Sequence, residues 1–436
     1  MSYKRYIFIA IIVVESIVLT FSLIFNQPWL PWALLLLVIL GVLIAQKPII
    51  GLLLFLLFIF PSRVLVITTG VTILKIVFII ALGSYIIREF QKGKITIPEI
   101  DRESIAIFIL GGVILLSLFY SVDFQLSLRE LVSFITAFLI YFLILGMVKS
   151  LSDLRLVQQC LMISAFLTTL FMFSSWRVAG FIRTGAFGAD PNYFALFLIM
   201  TIPIAINEIL ISKSRLWKVL TGIMFFLILF AVPSTLSRGG LITLILVLLF
   251  ISVSNKKACR FVLPALIGAG IIFALFSRPG TTWLQLLSIT APERIIAIVS
   301  RFSAMKAAFH VFMHHPLFGV GAGNFIKFYP EYSILPLSSG ALIAHNMYLG
   351  MLANLGIVGF IPFLLIIIFS YFATIKTQRA ALTRNDMIMY RLVKTCQGML
   401  LTFVIGGLFL STQTYKHFWV VLALSAVTEK IYRSRC

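Results

Sequence analysis

The chain has 436 residues, of which 61% are hydrophobic and only 11% are charged, and its mean hydropathy is +1.11. Soluble domains carry about 25% charged residues, so this composition excludes an ordinary soluble protein. The formal net charge of +21 is typical of nucleic-acid-binding proteins, and the positions of the basic residues decide whether that interpretation holds.

Apolar runs recur along the whole chain, and most have the ~17–25 residues that cross a hydrocarbon core as a helix. They do not alternate apolar and polar residues as the strands of a membrane barrel do. We therefore predict an all-α, polytopic transmembrane helical bundle of about 12–14 spans, with a single membrane-embedded domain over residues 1–436. The candidate spans are 6–25, 29–45, 48–61, 66–87, 104–120, 131–148, 156–175, 192–212, 217–233, 239–254, 261–276, 343–374, 395–411 and 417–430.

The basic residues follow the orientation rule for membrane proteins, in which short cytoplasmic loops carry an excess of lysine and arginine. When the spans alternate from a cytoplasmic N-terminus, most of the 35 lysine and arginine residues fall on the cytoplasmic side. The excess charge is therefore mainly an orientation signal. Both termini are predicted to face the cytoplasm, and no nucleic-acid partner is expected.

One long segment between spans, residues 277–342, falls on the outer side of the membrane. Within it, residues 292–314 have helical periodicity, with Arg294, Arg301 and Lys306 interleaved among apolar positions. This pattern predicts a helix that lies on the membrane surface or caps the bundle.

Basic residues on the outer side are not needed for orientation, so they invite a functional explanation. Four arginines and one histidine are predicted at this level: Arg183, Arg238, Arg294, Arg301 and His345. Guanidinium groups with few carboxylates nearby suit an anionic, phosphate-bearing ligand, because the planar fork binds phosphate oxygens in bidentate fashion. The alternative is that these arginines pair with lipid headgroups or with the few outer acids.

Two of these residues are predicted at helix starts, where the backbone contributes to the chemistry. Arg238 precedes Gly239 and Gly240, and the free N–H groups and dipole of a helix N-terminus attract an anion. At the start of its own helix, His345 is expected to stay neutral and able to accept a proton as a general base. The alternative is a capping histidine with a structural hydrogen bond. One helical face is predicted to carry His345, Leu349, Leu352, Gly356 and Gly359.

Four segments occur in the order "RTGAFGADPNYFAL", "STLSRGGLITLILVLL", "HPLFGVGAGNF" and "AHNMYLGMLANLGIVGFIPF". In this order, with the long outer loop between the second and the fourth, they resemble the O-antigen ligase and polymerase superfamily. The resemblance covers about residues 180–375. It implies an inverting, metal-independent glycosyltransferase of the bacterial inner (cytoplasmic) membrane with a periplasmic active site and no cofactor.

The resemblance also implies roles for individual residues. His345 is implied to be the base that deprotonates the acceptor hydroxyl. Arg183 and Arg238 are implied to hold the diphosphate, with help from Arg301. The supporting candidates are Asn346, Asn192, Asp190 and Arg294. The implied partners are an undecaprenyl-diphosphate-linked glycan donor, a lipid A core or other glycan acceptor, and membrane lipids.

Several alternatives stay open at this point. The residue pattern of the four segments favours an O-antigen ligase over a polysaccharide polymerase or a protein O-oligosaccharyltransferase of the same superfamily. The charged residues Glu15, Lys75 and Glu208 lie within predicted spans and motivate a flippase or transporter of polyprenol-linked glycans. Transporters tend to have repeats and broken helices at mid-membrane, whereas the polar residues here gather at one face, which favours an enzyme. His310, His314 and His315 have helical spacing, but no carboxylate or cysteine accompanies them, so we predict no metal site.

Overall fold

The computed structural model describes residues 39–60, 66–68, 71–92, 101–179, 185–254, 256–276, 292–332 and 343–435. The chain divides into two compact units, Met1–Thr96 and Ile97–Cys436. The single-domain interpretation stays a prediction. The predicted span 6–25, with Glu15, lies outside the described residues.

In its described residues, the first unit contains helical segments on both sides of a short β-ladder. Residues 39–46 are helical and lead into α1 (Pro48–Phe58), and α2 covers Ile73–Gln91. Strands β1 (Val66–Thr68) and β2 (Val71–Thr72) pair antiparallel. The prediction of a continuous span over 66–87 is therefore wrong at its start. Valine, isoleucine and threonine favour strands as well as apolar helices, so the apolar run does not separate the two structures.

The second unit is helical throughout its described residues, apart from turns and connections. Its helices are α3 (Arg102–Ser117), α4 (Phe124–Met147), α5 (Leu151–Ala179), α6 (Pro191–Ile211), α7 (Arg215–Ser234), α8 (Arg238–Ser254), α9 (Lys256–Phe276), α10 (Pro292–His314), α11 (Phe325–Tyr332), α12 (Met347–Thr383), α13 (Met387–Gly406) and α14 (Lys416–Ser434). Six helices of the described part are long and apolar enough to cross a membrane. The all-α membrane fold is confirmed, with the β-ladder of the first unit as the one addition among the described residues.

Helices α6 and α14 form the core of the second unit. Every residue from Phe194 to Glu208 is buried, and so is every residue from His417 to Thr428. Helix α6 packs on α7 and α13, while α14 packs on α4 and α12. Short polar side chains fix where the surrounding helices begin, since a side-chain oxygen accepts a bond from a backbone N–H of the first turn. These N-caps are Asp101, Asp123, Asp190, Ser214 and Asp386.

Burial of Glu208 is compensated by a complete set of donors. Its carboxylate accepts hydrogen bonds from Arg155 at 2.8 and 2.9 Å, from the Gln159 amide at 2.8 Å and from the Trp217 indole at 2.9 Å. A buried charge persists when it is paired and hydrogen-bonded. Glu208 is therefore part of a structural ion pair near the end of α6.

Helix α12 is interrupted at Gly356, where φ is +60° and ψ is −163°. The segment 316–321 fills the interruption with backbone hydrogen bonds. Val320 N–H donates to the Ala353 carbonyl at 3.1 Å, and Ile357 N–H donates to the Pro316 carbonyl at 2.9 Å. A Cβ added at Gly356 would lie 2.3 Å from the Leu317 oxygen. Glycine is therefore required here by both the backbone angle and the close approach.

Helix α10 has the bounds predicted from the sequence, 292–314, and it packs on α12. Its small residues Ala304, Ala307 and Ala308 are buried in a cluster that includes Ala344 and Ala353. On the opposite face, large apolar side chains remain exposed, among them Phe302 at 69% and Phe309 at 48%. The helix therefore both covers the bundle and presents an apolar surface, which suits a position at a membrane interface.

Candidate active site

His345 lies just before α12, in the left-handed region of backbone space. Its φ is +50°, an uncommon value for a residue with a side chain. Helix α12 begins only at Met347, and its cap is Asn346, whose Oδ1 accepts bonds from the N–H groups of Tyr348 and Leu349 at 2.9 and 3.0 Å. The alternative of a capping histidine is therefore wrong. The continuous helical face from His345 to Gly359 is also wrong, because His345 precedes the helix and Gly356 breaks it.

The imidazole of His345 is half-buried, and its electrostatic environment keeps it neutral. Burial, followed by the positive charge of Arg301, lowers the pKa of His345 from 6.5 to about 4, while Asp190 acts in the opposite direction. Arg301 on α10 and Asp190 before α6 are therefore both near the ring. An imidazole in this state can accept a proton at neutral pH.

A chain of polar contacts joins the start of α6 to the start of α8. The Asp190 carboxylate accepts bonds from the backbone N–H and the side-chain amide of Asn192, at 2.7 and 2.9 Å. The Ser237 hydroxyl donates to Asn192 Oδ1 at 2.9 Å. These bonds link Asp190, which acts electrostatically on His345, to Ser237, the residue that immediately precedes Arg238.

Arg238 is the first residue of α8 and is half-buried. The Gly240 N–H of the same turn is not free for a ligand, because it donates to Ser237 Oγ at 3.2 Å. The glycines have a packing role. A Cβ on Gly239 would lie 2.9 Å from Phe409 Cβ, and one on Gly240 would lie 2.8 Å from Ala195 Cβ. An anion at this helix start would therefore depend on the Arg238 side chain more than the sequence indicated.

The turn between α13 and α14, residues 407–415, is a part of the site that the sequence analysis missed. Asn346 Nδ2 donates to the Leu408 carbonyl at 3.2 Å, and Met347 N–H donates to the Gly407 carbonyl at 2.7 Å. On the other side, the Tyr193 hydroxyl donates to the Ser411 carbonyl at 2.9 Å. The polar run "STQTYK" between two apolar spans is the signal that identifies this turn. We call the starts of α6, α8 and α12 together with this turn the mouth of the bundle.

The structure brings most of the predicted residues to the mouth. His345 and Asn346 lie at its centre, with Arg301 and Asp190 acting on the imidazole, Asn192 bonded to Asp190, and Arg238 following Ser237. Arg183 lies outside the described residues. Arg294 belongs to α10, but its side chain is outside the described part. The roles assigned to these residues stay predictions.

The histidines of α10 make contacts of a structural kind. His314 Nδ1 lies 2.8 Å from the His310 carbonyl, and both rings pack on Tyr332, with centroid distances of 6.2 Å for His310 and 5.2 Å for His314. Over the residues that the structure describes, no group of three or more His, Cys, Asp or Glu could hold a metal ion.

Comparison with known proteins concerns the family of the chain. No curated protein matches the chain. A family model described as O-antigen ligase matches residues 223–364, about a third of the chain, and this stretch contains Arg238, Arg301 and His345. Members of this family are glycosyltransferase-like membrane enzymes. The match confirms, over residues 223–364, the resemblance of this chain to the O-antigen ligase and polymerase superfamily.

Proposed function

We propose that this protein is an O-antigen ligase-type, inverting and metal-independent glycosyltransferase of the bacterial inner membrane. It transfers a glycan from undecaprenyl diphosphate to a hydroxyl group of the lipid A core, on the periplasmic side. A polymerase or a protein O-oligosaccharyltransferase would use the same mouth with a different acceptor. The family match supports the general class, and the acceptor and donor are part of this proposal.

The observation that carries the proposal is the neutral imidazole of His345 beside the guanidinium-bearing helix α10. A general base must be unprotonated at the working pH, and burial together with Arg301 lowers the pKa of His345 to about 4. Positive charge near the base is unhelpful for basicity alone. It becomes useful when the substrate carries a diphosphate whose negative charge must be stabilised as it leaves.

In the proposed reaction, the acceptor hydroxyl oxygen attacks the anomeric carbon of the donor sugar from the face opposite the diphosphate. A new C–O bond forms, the bond from the anomeric carbon to the diphosphate oxygen breaks, and undecaprenyl diphosphate leaves with the bonding electron pair. His345 takes the hydroxyl proton. Arg238 and Arg301 stabilise the charge that grows on the leaving group, and Arg183 is proposed to act with them.

The interruption of α12 bears on the rival function, a flippase. Transporters use unwound backbone carbonyls at broken helices to bind ions or substrate. Here the Ala353 and Asn354 carbonyls accept bonds from Val320 and Gly321 N–H at 3.1 and 2.8 Å. The break is thus closed by the chain itself, which favours a structural role and supports an enzyme.

The test compares surface glycans of a deletion strain complemented with wild type or His345→Ala. With wild type we expect polymer attached to the lipid A core, and with His345→Ala we expect polymer retained on its lipid carrier. Core bearing a single repeat in the deletion strain would identify a polymerase instead. Normal glycan with His345→Ala would exclude the proposed base. Product formation by purified protein in detergent, without a membrane gradient, would separate the enzyme from the flippase.

A further inference from the structure

Several polar atoms at the mouth are shielded from solvent and have no hydrogen-bond partner within the described part of the chain. Nδ1 of His345 and Oε1 of Gln413 are among them. A buried polar group without a partner is unfavourable, because its hydrogen bonds to water are lost and not replaced. Such groups in a native protein call for an explanation, and a catalytic role is one of the usual ones.

The two side chains belong to segments that are bonded to each other. Met347 N–H donates to the Gly407 carbonyl at 2.7 Å, and the Thr412 hydroxyl lies 3.1 Å from the Met347 sulfur. A Cβ placed on Gly350 would lie 3.6 Å from Ala344 Cβ and 3.8 Å from Gln413 Nε2. The Gln413 amide therefore packs on the first turn of α12, beside the residue that precedes His345.

Gln413 is held firmly enough to act as a fixed partner. Gln413 is only 8% exposed. Its backbone carbonyl accepts a bond from the Trp419 indole at 2.8 Å. The terminal amide torsion is the softest remaining degree of freedom, because torsions of this type have broad minima. A rotation of the amide is therefore a small change compared with a movement of the turn.

The chemistry of the two atoms is complementary. A neutral imidazole carries one N–H and one lone pair. Nδ1 is shielded, so an incoming hydroxyl must reach Nε2, and Nε2 must then hold the lone pair. The proton is consequently on Nδ1, which needs an acceptor, and the amide oxygen of Gln413 is an acceptor only.

We propose that Gln413 is a positioning residue for His345, with Oε1 accepting a hydrogen bond from Nδ1–H so that the lone pair of Nε2 faces the substrate. The assignment of Nε2 as the base rests on the proposed function, whereas the Nδ1–H tautomer also follows from the shielded Gln413 Oε1, an acceptor that needs a donor. A third group that orients the base is the general arrangement of activated catalytic sites. Arg301 and Asp190 are the charged groups that also act on this ring.

The test measures the tautomer directly, by ¹⁵N NMR of the histidine side chains in the full-length protein in detergent micelles. His345→Ala assigns the His345 signals among the five histidines of the chain. In wild type we expect a protonated Nδ1 and a lone pair on Nε2. Gln413→Leu should produce a mixture of tautomers. Ser411→Ala is the matched control, because it removes another shielded and unpaired polar atom from the same turn and should leave the tautomer unchanged.

Gln413→Glu provides a second test that does not depend on the folding of the leucine variant. A carboxylate also accepts from Nδ1–H, so the tautomer should be kept, and the pKa of His345 should rise because a negative charge favours imidazolium. A wild-type lone pair on Nδ1, or an unchanged His345 spectrum in both Gln413 variants, would overturn the proposal. If the tautomer responds while no variant, including wild type, transfers a glycan, the proposed function fails and the positioning role stands.

Discussion

The pKa of His345 gives a quantitative prediction for the pH dependence of activity. At pH 7, an imidazole with a pKa of about 4 is protonated in about one molecule in a thousand, compared with about a quarter for an ordinary histidine. In the proposed reaction the base must be the neutral ring, so activity should be lost as the pH falls through the pKa. The acid limb of kcat/KM, which reports the free enzyme, should therefore lie near pH 4 and not near 6.5.

Arg301→Gln tests the electrostatic part of this shift. Arg301 is the second cause of the lowered pKa, after burial. Removing its positive charge raises the pKa of His345, so the acid limb should move from near pH 4 to higher pH. It should remain below 6.5, because burial is the larger cause of the shift and is unchanged.

The measurement is glycan transfer by purified protein as a function of pH, with NMR titration of His345 as a direct readout. Lys306→Gln is the matched control, since Lys306 is an exposed cation on the same helix. If Arg301 holds the donor as proposed, its loss also weakens donor binding, which changes the height of the profile and not the position of its limb. A wild-type limb near 6.5, or identical limbs for the two variants, would refute the reasoning.

Three further predictions concern the framework of the mouth. Asp190→Asn keeps a good helix cap but removes the charge that raises the pKa of His345. NMR titration should therefore show a still lower pKa for His345. An unchanged pKa would mean that Asp190 lies too far from the ring to influence it. Asn346→Ala removes the cap of α12 and the bond to Leu408, and it should lower the free energy of unfolding by about 2 kcal/mol. Asn346→Ser retains a cap and should lose less. Equal unfolding temperatures for the two variants would contradict this. Gly356→Ala should lower the free energy of unfolding by about 3 kcal/mol or more, because its Cβ would lie 2.3 Å from a backbone oxygen. Gly222 has open space around it, so Gly222→Ala should be neutral or slightly stabilising in the same thermal unfolding assay.

The positions of the helices could be predicted from the sequence because the membrane sets both their composition and their length. Helix α10, predicted over 292–314, begins and ends at those residues. Its alternation of apolar and basic positions is independent of tertiary contacts. The break in α12 could not be predicted in this way. Gly356 lies in an apolar run that resembles uninterrupted helix, and only the approach of Leu317 shows why the chain turns there.

The candidate site was predictable in its residue types but not in its geometry. Arginines on the outer side and one histidine at a span boundary were visible as departures from the orientation rule. His345 was placed at the start of its helix, whereas α12 begins at Met347 with Asn346 as its cap, because asparagine is a favoured capping residue. Ser237 and Gln413 were missed because polar residues are common in turns. Ser237 bonds to Asn192, 45 positions away, and the Gln413 amide packs on the first turn of α12, contacts that a local pattern does not indicate.

The proximity of Arg301 to His345 also couples donor binding to the strength of the base. In the free protein, the positive charge lowers the pKa of the imidazole and keeps it neutral. A bound diphosphate would offset that charge, and the pKa of His345 should then rise toward the range in which a general base is most effective. Since kcat reports groups in the substrate complex, its acid limb should lie at higher pH than the limb of kcat/KM. Arg301→Gln should raise both limbs by a similar amount and leave the gap unchanged, because the charges of Arg301 and of the diphosphate act additively on the imidazole. Coincident limbs in wild type would mean that the diphosphate binds too far from His345 to influence it, and the guanidinium groups at the mouth would then need another role.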